Sequence, residues 1–327
     1  MTRKLSISII NFRTGNMTLA SVQSALADLA GVEDRKPIDG WVIVVDNDSG
    51  DGSAEQIEDW IEANPEEPVE LVRSAVNSGF SGGHNQGLAA MEAEFTLVLN
   101  SDAEIRPGCL GALLDAAETH PGFGLFAPRL EDEDGTPQIS SFRDHSPLSE
   151  LIRAAGTGQL TRMLKRFDVP TCTAPNPGRI DWSSFAAVLL RRKMVDEIGS
   201  LDEGYFLYFE DTDYCRTARK AGWGVMHVPE ARVVHHRGGS GPVKGLEDAR
   251  KRLPPYLYAS RTRFFFKAYG WTGIVAANLM WHLGRGIAQS RRLFGKPVPP
   301  ANEAEWRDIW TNVAHPSGPR RAPWEDR

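Results

Sequence analysis

Apolar positions in the first hundred residues follow two alternating rhythms. Leu5 to Ile10 is a β-rich apolar run, and after a turn at Thr14 to Asn16 the stretch Met17 to Leu29 places apolar residues at helical spacing. Trp41 to Val45 is continuously apolar, as in strands buried on both faces of a sheet. A helix over Ala54 to Ile61 and a strand over Val69 to Val72 follow. A glycine-rich loop, Asn77 to Gly87, then leads to a helix near Leu88 and a strand over Phe95 to Leu99. This rhythm predicts an α/β fold with a mostly parallel central sheet and helices on both faces. In such sheets ligands lie beyond the carboxyl ends of the strands, and the polar clusters of this chain fall there.

Past residue 125 the pattern loosens. Leu130 to Pro177, rich in Pro, Gly, Ser and Thr, reads as a mobile loop with helix around Leu148 to Phe167. Order resumes over Ile180 to Leu190, and an aromatic strand over Tyr205 to Phe209, a helix over Asp211 to Ala221 and a strand over Val225 to Val228 follow. The tail after Pro297 reads as loosely ordered. No internal repeat is evident.

With 327 residues, 41% hydrophobic and 24% charged, the chain has room for one large domain and an appendage. Its net charge of -6 gives no case for nucleic-acid binding. The charge is uneven, because from Lys244 to Lys296 the acidic residues are Glu247 and Asp248 alone. The division expected is therefore a catalytic domain over 1–243 and a basic, mainly helical extension over 244–327. Cys109, Cys172 and Cys215 have neither a CxxC spacing nor an even count, which argues against a disulfide framework or structural zinc and fits a cytoplasmic location. Trp271 to Leu283 is shorter than the roughly 20 apolar residues that span a bilayer.

Four clusters carry candidate chemistry. Asp46 to Ser53 places carboxylates on a strand-to-helix loop, with Asp46 placed to accept a hydrogen bond from a base or ribose; a plain turn is the commoner meaning of such a string. Asn77 to Gly87 would let backbone approach a nucleotide closely. Asn100, Ser101, Asp102 and Glu104 end an apolar strand with hard oxygen donors of the kind Mg²⁺ or Mn²⁺ takes. Glu210, Asp211 and Asp213 crowd the start of a helix, where acidic residues also occur for electrostatic reasons alone. Paired His235 and His236 close a further strand.

Together these residues resemble family 2 glycosyltransferases of the GT-A type, over roughly Leu5 to Tyr269. The likeness is strongest to the rhamnosyltransferase-like branch, whose members share the strings VDNDSGDGS, NSGFSGGHNQG, LNSDAEI, LDEGYFLYFEDTDYCRTARKAGW and VVHHRGGS. Any one string is weak, but five in order are specific. The resemblance implies the GT-A nucleotide-diphospho-sugar transferase fold, with its Rossmann-like sheet. It implies that Asp46 contacts the nucleotide base and that Asn77, Gly79, Asn85 and Ser101 shape the donor pocket. Asp102 matches the second carboxylate of the Asp-x-Asp signature and would bind Mg²⁺ or Mn²⁺, with His235 completing the metal site and His236 the fallback. Asp211 matches the general base, and Glu210 would orient it or the acceptor.

The implied reaction is inverting transfer of a sugar, L-rhamnose first and the sugars of uridine diphosphate next. The donor is a nucleotide diphosphate sugar, and the acceptor a hydroxyl of a saccharide or lipid-linked saccharide in cell-envelope polysaccharide synthesis. Two departures from the family pattern stand out: Asn100 replaces the first Asp of the signature, and Phe185 stands where Gly is usual. The basic segment after Pro254 mixes aromatics with cations, which suits either a peripheral site on the inner face of the membrane or a helical extension packed on the body. A non-catalytic nucleotide-sugar sensor or scaffold is the alternative, although a mere binder has no need of Asp211. A dehydrogenase would want GxGxxG after the first strand, where Asn11-Phe12-Arg13-Thr14-Gly15-Asn16 stands. A nucleotidyltransferase would release pyrophosphate instead of a nucleoside diphosphate.

Overall fold

The computed structural model describes residues 3–33, 38–176, 178, 180–236 and 243–323. Arg237 to Ser240, the end of the paired-histidine string, lie outside the described residues. In chain order the elements begin with β1 (Arg3–Asn11), α1 (Gly15–Glu33), β2 (Ile38–Asp46), α2 (Ser53–Ala63), β3 (Val69–Arg73) and α3 (Gly79–Ala90). Next come β4 (Phe95–Asn100), β5 (Ala103–Ile105), α4 (Cys109–Thr119), β6 (Phe123–Glu131), β7 (Ser141–Phe142), α5 (Pro147–Ala155) and α6 (Gly158–Met163). The second half holds β8 (Trp182–Ser183), β9 (Ala187–Arg191), α7 (Arg192–Ile198), α8 (Glu210–Lys220) and β10 (Gly224–His235). It ends with α9 (Val243–Asp248), the long α10 (Pro255–Ser290) and α11 (Glu305–Asp308).

The chain divides into two compact units, with the division passing through α8. One comprises Met1–Phe142, Cys172–Glu203 and Tyr214–Ser240, the other Arg143–Thr171, Gly204–Asp213 and Gly241–Arg327. The first is built on an eight-stranded sheet of order β3-β2-β1-β4-β9-β6-β10-β5. Neighbours β3, β2, β1 and β4 are parallel, as are β6 and β10, while β9 and the short β5 run antiparallel to their neighbours. This is the mostly parallel α/β sheet expected. Leu5, Ile7, Ile9, Val42, Val44, Leu97 and Leu99 are buried in its core, as continuous apolar strands require. Register aligns the carboxyl ends, pairing Asn11 with Asp46 and Ile10 with Asn100.

The glycine-rich stretch is helix rather than loop. A side chain at Gly83 would stand 2.7 Å from Ile10 Cδ1, and one at Gly87 would overlap Ser8. These glycines let α3 lie close against the sheet, at a modest propensity cost that the close packing offsets.

The second unit is helical, and α10 packs along α5. Gly284 makes that approach possible, since a Cβ there would sit 2.6 Å from the Leu151 carbonyl. The helix expected around Leu148 to Phe167 is present as α5 and α6, and α5 buries Leu151, Ile152, Ala154 and Ala155. Its start is fixed by a capping box between Ser146 and Ser149, with Pro147 at the first turn. A buried charge network crosses this unit. Glu150 pairs with Arg153 at 2.8 Å and Arg261 at 3.1 Å, and Arg153 reaches Glu305 at 2.6 Å. Burial pushes the Glu150 carboxyl up, but Arg153 and Arg261 outweigh it and hold the group at about 2.

The tail is also more ordered than its composition suggests. Glu305 accepts the Trp281 indole N–H at 3.2 Å, Asp308 pairs with Arg252 at 2.6 Å, and Ile309 is fully buried. Among the described residues no helix is long and apolar enough to cross a membrane.

Candidate active site

At the carboxyl ends of β1 and β2, Asn11 gathers the first polar cluster. Its Nδ2 donates to Asp46 Oδ1 at 2.7 Å, to Ser53 Oγ at 2.8 Å and to Ser49 Oγ at 3.1 Å. Asp46 also accepts from the Ser49 hydroxyl at 2.6 Å, so the buried carboxylate is held in one orientation. On its other side Asn11 Oδ1 accepts from the Thr14 backbone N–H and the Thr18 hydroxyl, and Thr14 Oγ1 donates to Ser101 Oγ at 3.1 Å. One asparagine thereby links Asp46 to the strand end that carries Ser101 and Asp102. Sequence reading passed over Asn11, although its position as the polar residue ending the first apolar strand was the available signal.

Asn47 joins the second cluster to the first. Its Nδ2 donates to Asn77 Oδ1 at 3.1 Å and to the Gly79 carbonyl at 3.0 Å, while its Oδ1 accepts from the Ser78 N–H at 2.9 Å. Asn77 Oδ1 in turn accepts from the Gly79 N–H at 2.9 Å, and Gly79 has a φ of 72°, a left-handed conformation suited to glycine. Asn85 points elsewhere: its amide donates to the Leu201 carbonyl at 2.9 Å and Glu203 at 3.0 Å and accepts from Leu201 N–H, clamping the loop after α7. Between them His84 is fully buried and shares a 2.9 Å hydrogen bond with Ser8 Oγ. Burial lowers its pKa to about 3 and keeps the ring neutral.

The third cluster forms where β5 meets β10. Antiparallel pairing sets His235 opposite Ala103, and the His236 N–H donates to the Asp102 carbonyl at 2.9 Å. His235 Nε2 then lies 3.5 Å from Asp102 Oδ1. His236 is turned away, its ring held between Glu104 at 2.8 Å and Glu133 at 3.1 Å. Asp132, Glu133, Asp134 and the two histidines line a cleft of about 330 Å³. Two cis ligands of an octahedral cation at about 2.1 Å stand roughly 3 Å apart, so a carboxylate and an imidazole at this separation fit a shared divalent ion after a small adjustment. Among the described residues no group of three or more His, Cys, Asp or Glu gathers in metal-binding geometry. Phosphate oxygens and water would have to complete the shell, the usual arrangement for a cation on a diphosphate. Phe185, the residue standing in place of glycine, is packed inward with its ring edge-on to Tyr214 at 6.1 Å.

The acidic helix start belongs to the second unit. Tyr205 to Phe209 is a bend instead of the expected strand, with Tyr208 and Phe209 both at positive φ (71° and 68°). Two bulky residues in the left-handed region represent stored backbone strain. Tyr205 is buried beneath the cations of Arg263 and Lys267, 5.6 Å and 5.5 Å from its ring. The turn opens directly into Glu210 and Asp211. Asp211 Oδ1 accepts from the Thr212 N–H at 2.7 Å, and Asp213 forms an ion pair with Lys267. Glu210 is buried, and among the described residues its Oε2 has no hydrogen-bond partner. Burial, and then the neighbouring Asp211 charge, push its pKa well above the ordinary 4.5. The helix start thus carries a buried acid whose ionisation is disfavoured beside an acidic residue that is only partly buried.

Glycosyl transferase family 2 matches residues 6–184, more than half of the chain. An N-acetylglucosaminyl-diphospho-decaprenol L-rhamnosyltransferase of Mycobacterium tuberculosis is 28% identical over 274 residues, covering 77% of this chain and 86% of its own. Rhamnosyltransferase WbbL of Escherichia coli is 22% identical over 206 residues, covering 60% and 69%. In fold, the chain is similar to GalNAc-T7 solved with UDP, GalNAc and Mn²⁺ (TM-score 0.55, 15% identity, 91% of this chain and 59% of that one). It is likewise similar to the mannosyltransferase PcManGT of Pyrobaculum calidifontis with GDP-Man and Mn²⁺ (TM-score 0.52, 12% identity, 89% and 76%). The chain belongs to glycosyltransferase family 2.

Proposed function

We propose that this glycosyltransferase moves a deoxyhexose, with L-rhamnose first in order, from a nucleotide diphosphate donor to a saccharide hydroxyl on a lipid-linked acceptor in cell-envelope glycan synthesis. The reaction proceeds with inversion. The sugar and the acceptor class rest on the M. tuberculosis relative, whose name specifies rhamnose transfer to a polyprenyl-diphosphate-linked N-acetylglucosamine. The observation that best supports the chemistry is His235 Nε2 lying 3.5 Å from Asp102 Oδ1.

In this reading Asp46, fixed by Asn11, receives the nucleotide base, while the Asn77–Gly79 turn and Ser101 shape the donor pocket beside it. Asn85 supports the pocket through its clamp on Leu201 and Glu203. Asp102 and His235 would hold Mg²⁺ or Mn²⁺, which would supply Lewis-acid neutralisation of the leaving diphosphate. Asp211 takes the proton from the acceptor hydroxyl as general base, a role typically worth about 10²–10⁴ in rate. Burial and the Asp211 charge disfavour ionisation of Glu210, which favours the charge of the pair on Asp211. With one base and one displacement the anomeric centre inverts, and no covalent intermediate forms. Because a lipid-linked acceptor resides in the bilayer, the enzyme works as a cytoplasmic protein held at the inner membrane surface.

The test is incubation with a panel of nucleotide diphosphate sugars, Mg²⁺ or Mn²⁺, and a short-chain lipid-diphosphate saccharide. Metal-dependent release of one nucleoside diphosphate together with a glycosylated, inverted product supports the reading. Donor binding without product from any pair would leave a nucleotide-sugar sensor as the better account.

A further inference from the structure

The second half of α10 exposes a row of apolar side chains. α10 breaks at Gly270, whose φ of 68° and ψ of -166° are not helical. Beyond the break, Ile274, Ala277, Asn278, Trp281 and Ala288 face inward and are buried. The opposite face of a surface helix is ordinarily charged or polar. Here it carries Trp271, Val275, Leu279 and Leu283, four residues apart and 50%, 43%, 54% and 51% exposed. Directly after the helix, the turn Arg291–Phe294 presents Leu293 at 84% and Phe294 at 76% exposure. Aligned apolar exposure of this kind marks an interaction surface.

Charge narrows the choice of partner. From Ala249 to Asn302 the chain has ten Lys and Arg and no acidic residue. Around the apolar stripe, Arg285 donates to the carbonyls of Ala154 and Pro299 and Arg291 to that of Pro297, hydrogen bonds to neutral groups. Arg292 and Lys296 are exposed beside Leu293 and Phe294. A second copy of the chain would bring these like charges together. A bilayer with anionic headgroups would receive both features at once, apolar side chains at the acyl boundary and cations at the phosphates.

We propose that the Trp271/Val275/Leu279/Leu283 face and the Leu293–Phe294 turn form one docking surface for an anionic phospholipid bilayer, with the helix lying in the plane of the headgroups. The proposal deepens the membrane-surface part of the reading above and rests on it, while standing apart from the donor chemistry.

The experiment is cosedimentation of the full chain with vesicles of phosphatidylcholine alone or mixed with phosphatidylglycerol, for wild type, Leu279→Glu/Leu283→Glu and Leu293→Ser/Phe294→Ser. Binding to mixed vesicles that weakens with salt, and is about tenfold or more weaker in both variants, is expected. Circular dichroism and donor hydrolysis should match wild type. Quenching of the Trp271-dependent fluorescence by brominated lipid, read as the difference from Trp271→Phe, checks insertion without altering the leucines. Wild-type binding that both variants retain overturns the docking surface and leaves the membrane reading intact. Absence of wild-type binding at low salt overturns both, without touching the glycosyltransferase reading. A lipid-free dimer that the variants dissolve overturns the lipid assignment in favour of a second copy.

Discussion

Asn11 Nδ2 donates to Asp46 Oδ1 at 2.7 Å, across the register pair that ends β1 and β2. Through Thr14, the same side chain is linked to Ser101. Removing it strips a buried carboxylate of a donor and disconnects two strand ends. Asn11→Ala is expected to cost about 1–3 kcal/mol of stability in chemical denaturation. It should raise KM for the donor more than it lowers kcat, because Asp46 loses its fixed orientation. An unchanged KM would remove Asn11 from the donor site.

Asp102 and His235 should act together on metal. In Mn²⁺ titrations followed by paramagnetic resonance, Asp102→Asn and His235→Ala are each expected to weaken binding in the presence of nucleoside diphosphate by at least about tenfold. His236→Ala should change it little, because its ring is held by Glu104 and Glu133. A larger effect at His236 than at His235 would transfer the metal role to His236.

Glu210 makes stability depend on pH in a defined direction. Its folded-state pKa lies above the ordinary 4.5, so its contribution is complete below that value and is lost as pH rises through the folded pKa. The loss approaches about 1.4 kcal/mol per pH unit within that window. Glu210→Gln cannot ionise, so its melting temperature should gain on wild type as pH rises above the ordinary carboxylate range. A gap that stays constant would mean that Glu210 is ionised in the folded protein.

His84 and His145 act at the acid end. Burial lowers both, His84 to about 3 and His145 to about 4. Folded stability from these neutral rings is therefore full above 6.5 and falls as the unfolded chain takes up protons below it. The slope is at most about 1.4 kcal/mol per pH unit for each ring. Urea denaturation at stepped pH should show the decline, and His84→Asn should reduce its steepness even if the variant is less stable overall.

The sheet and the carboxylate clusters were legible in the sequence because apolar runs and the polar residues that end them are local signals. Asp46, Ser101 and Asp102 stand at strand ends, where the pattern located them. What was not legible depended on partners distant in the chain. Gly83 and Gly87 read as loop because the sequence does not show Ile10 and Ser8 pressing against them. Tyr205 to Phe209 has the composition of a strand, yet two consecutive positive φ angles turn it into a bend held by α10 residues Arg263 and Lys267. The helix after Ser146 was legible, but the tail around Glu305 looked loose because Glu150, Arg153, Arg261 and Glu305 stabilise one another only once brought together. Asn47, which ties Asn77 to the end of β2, looked like one polar residue among several.

The central claim is base-assisted sugar transfer by Asp211, and single-turnover transfer by wild type and Asp211→Asn tests it most directly. With a radiolabelled donor, saturating Mn²⁺ and a lipid-linked saccharide, the account predicts donor affinity within about twofold of wild type and a transfer rate lower by about 10²–10⁴. A variant that transfers sugar at the wild-type rate would contradict it and place the base elsewhere in the chain.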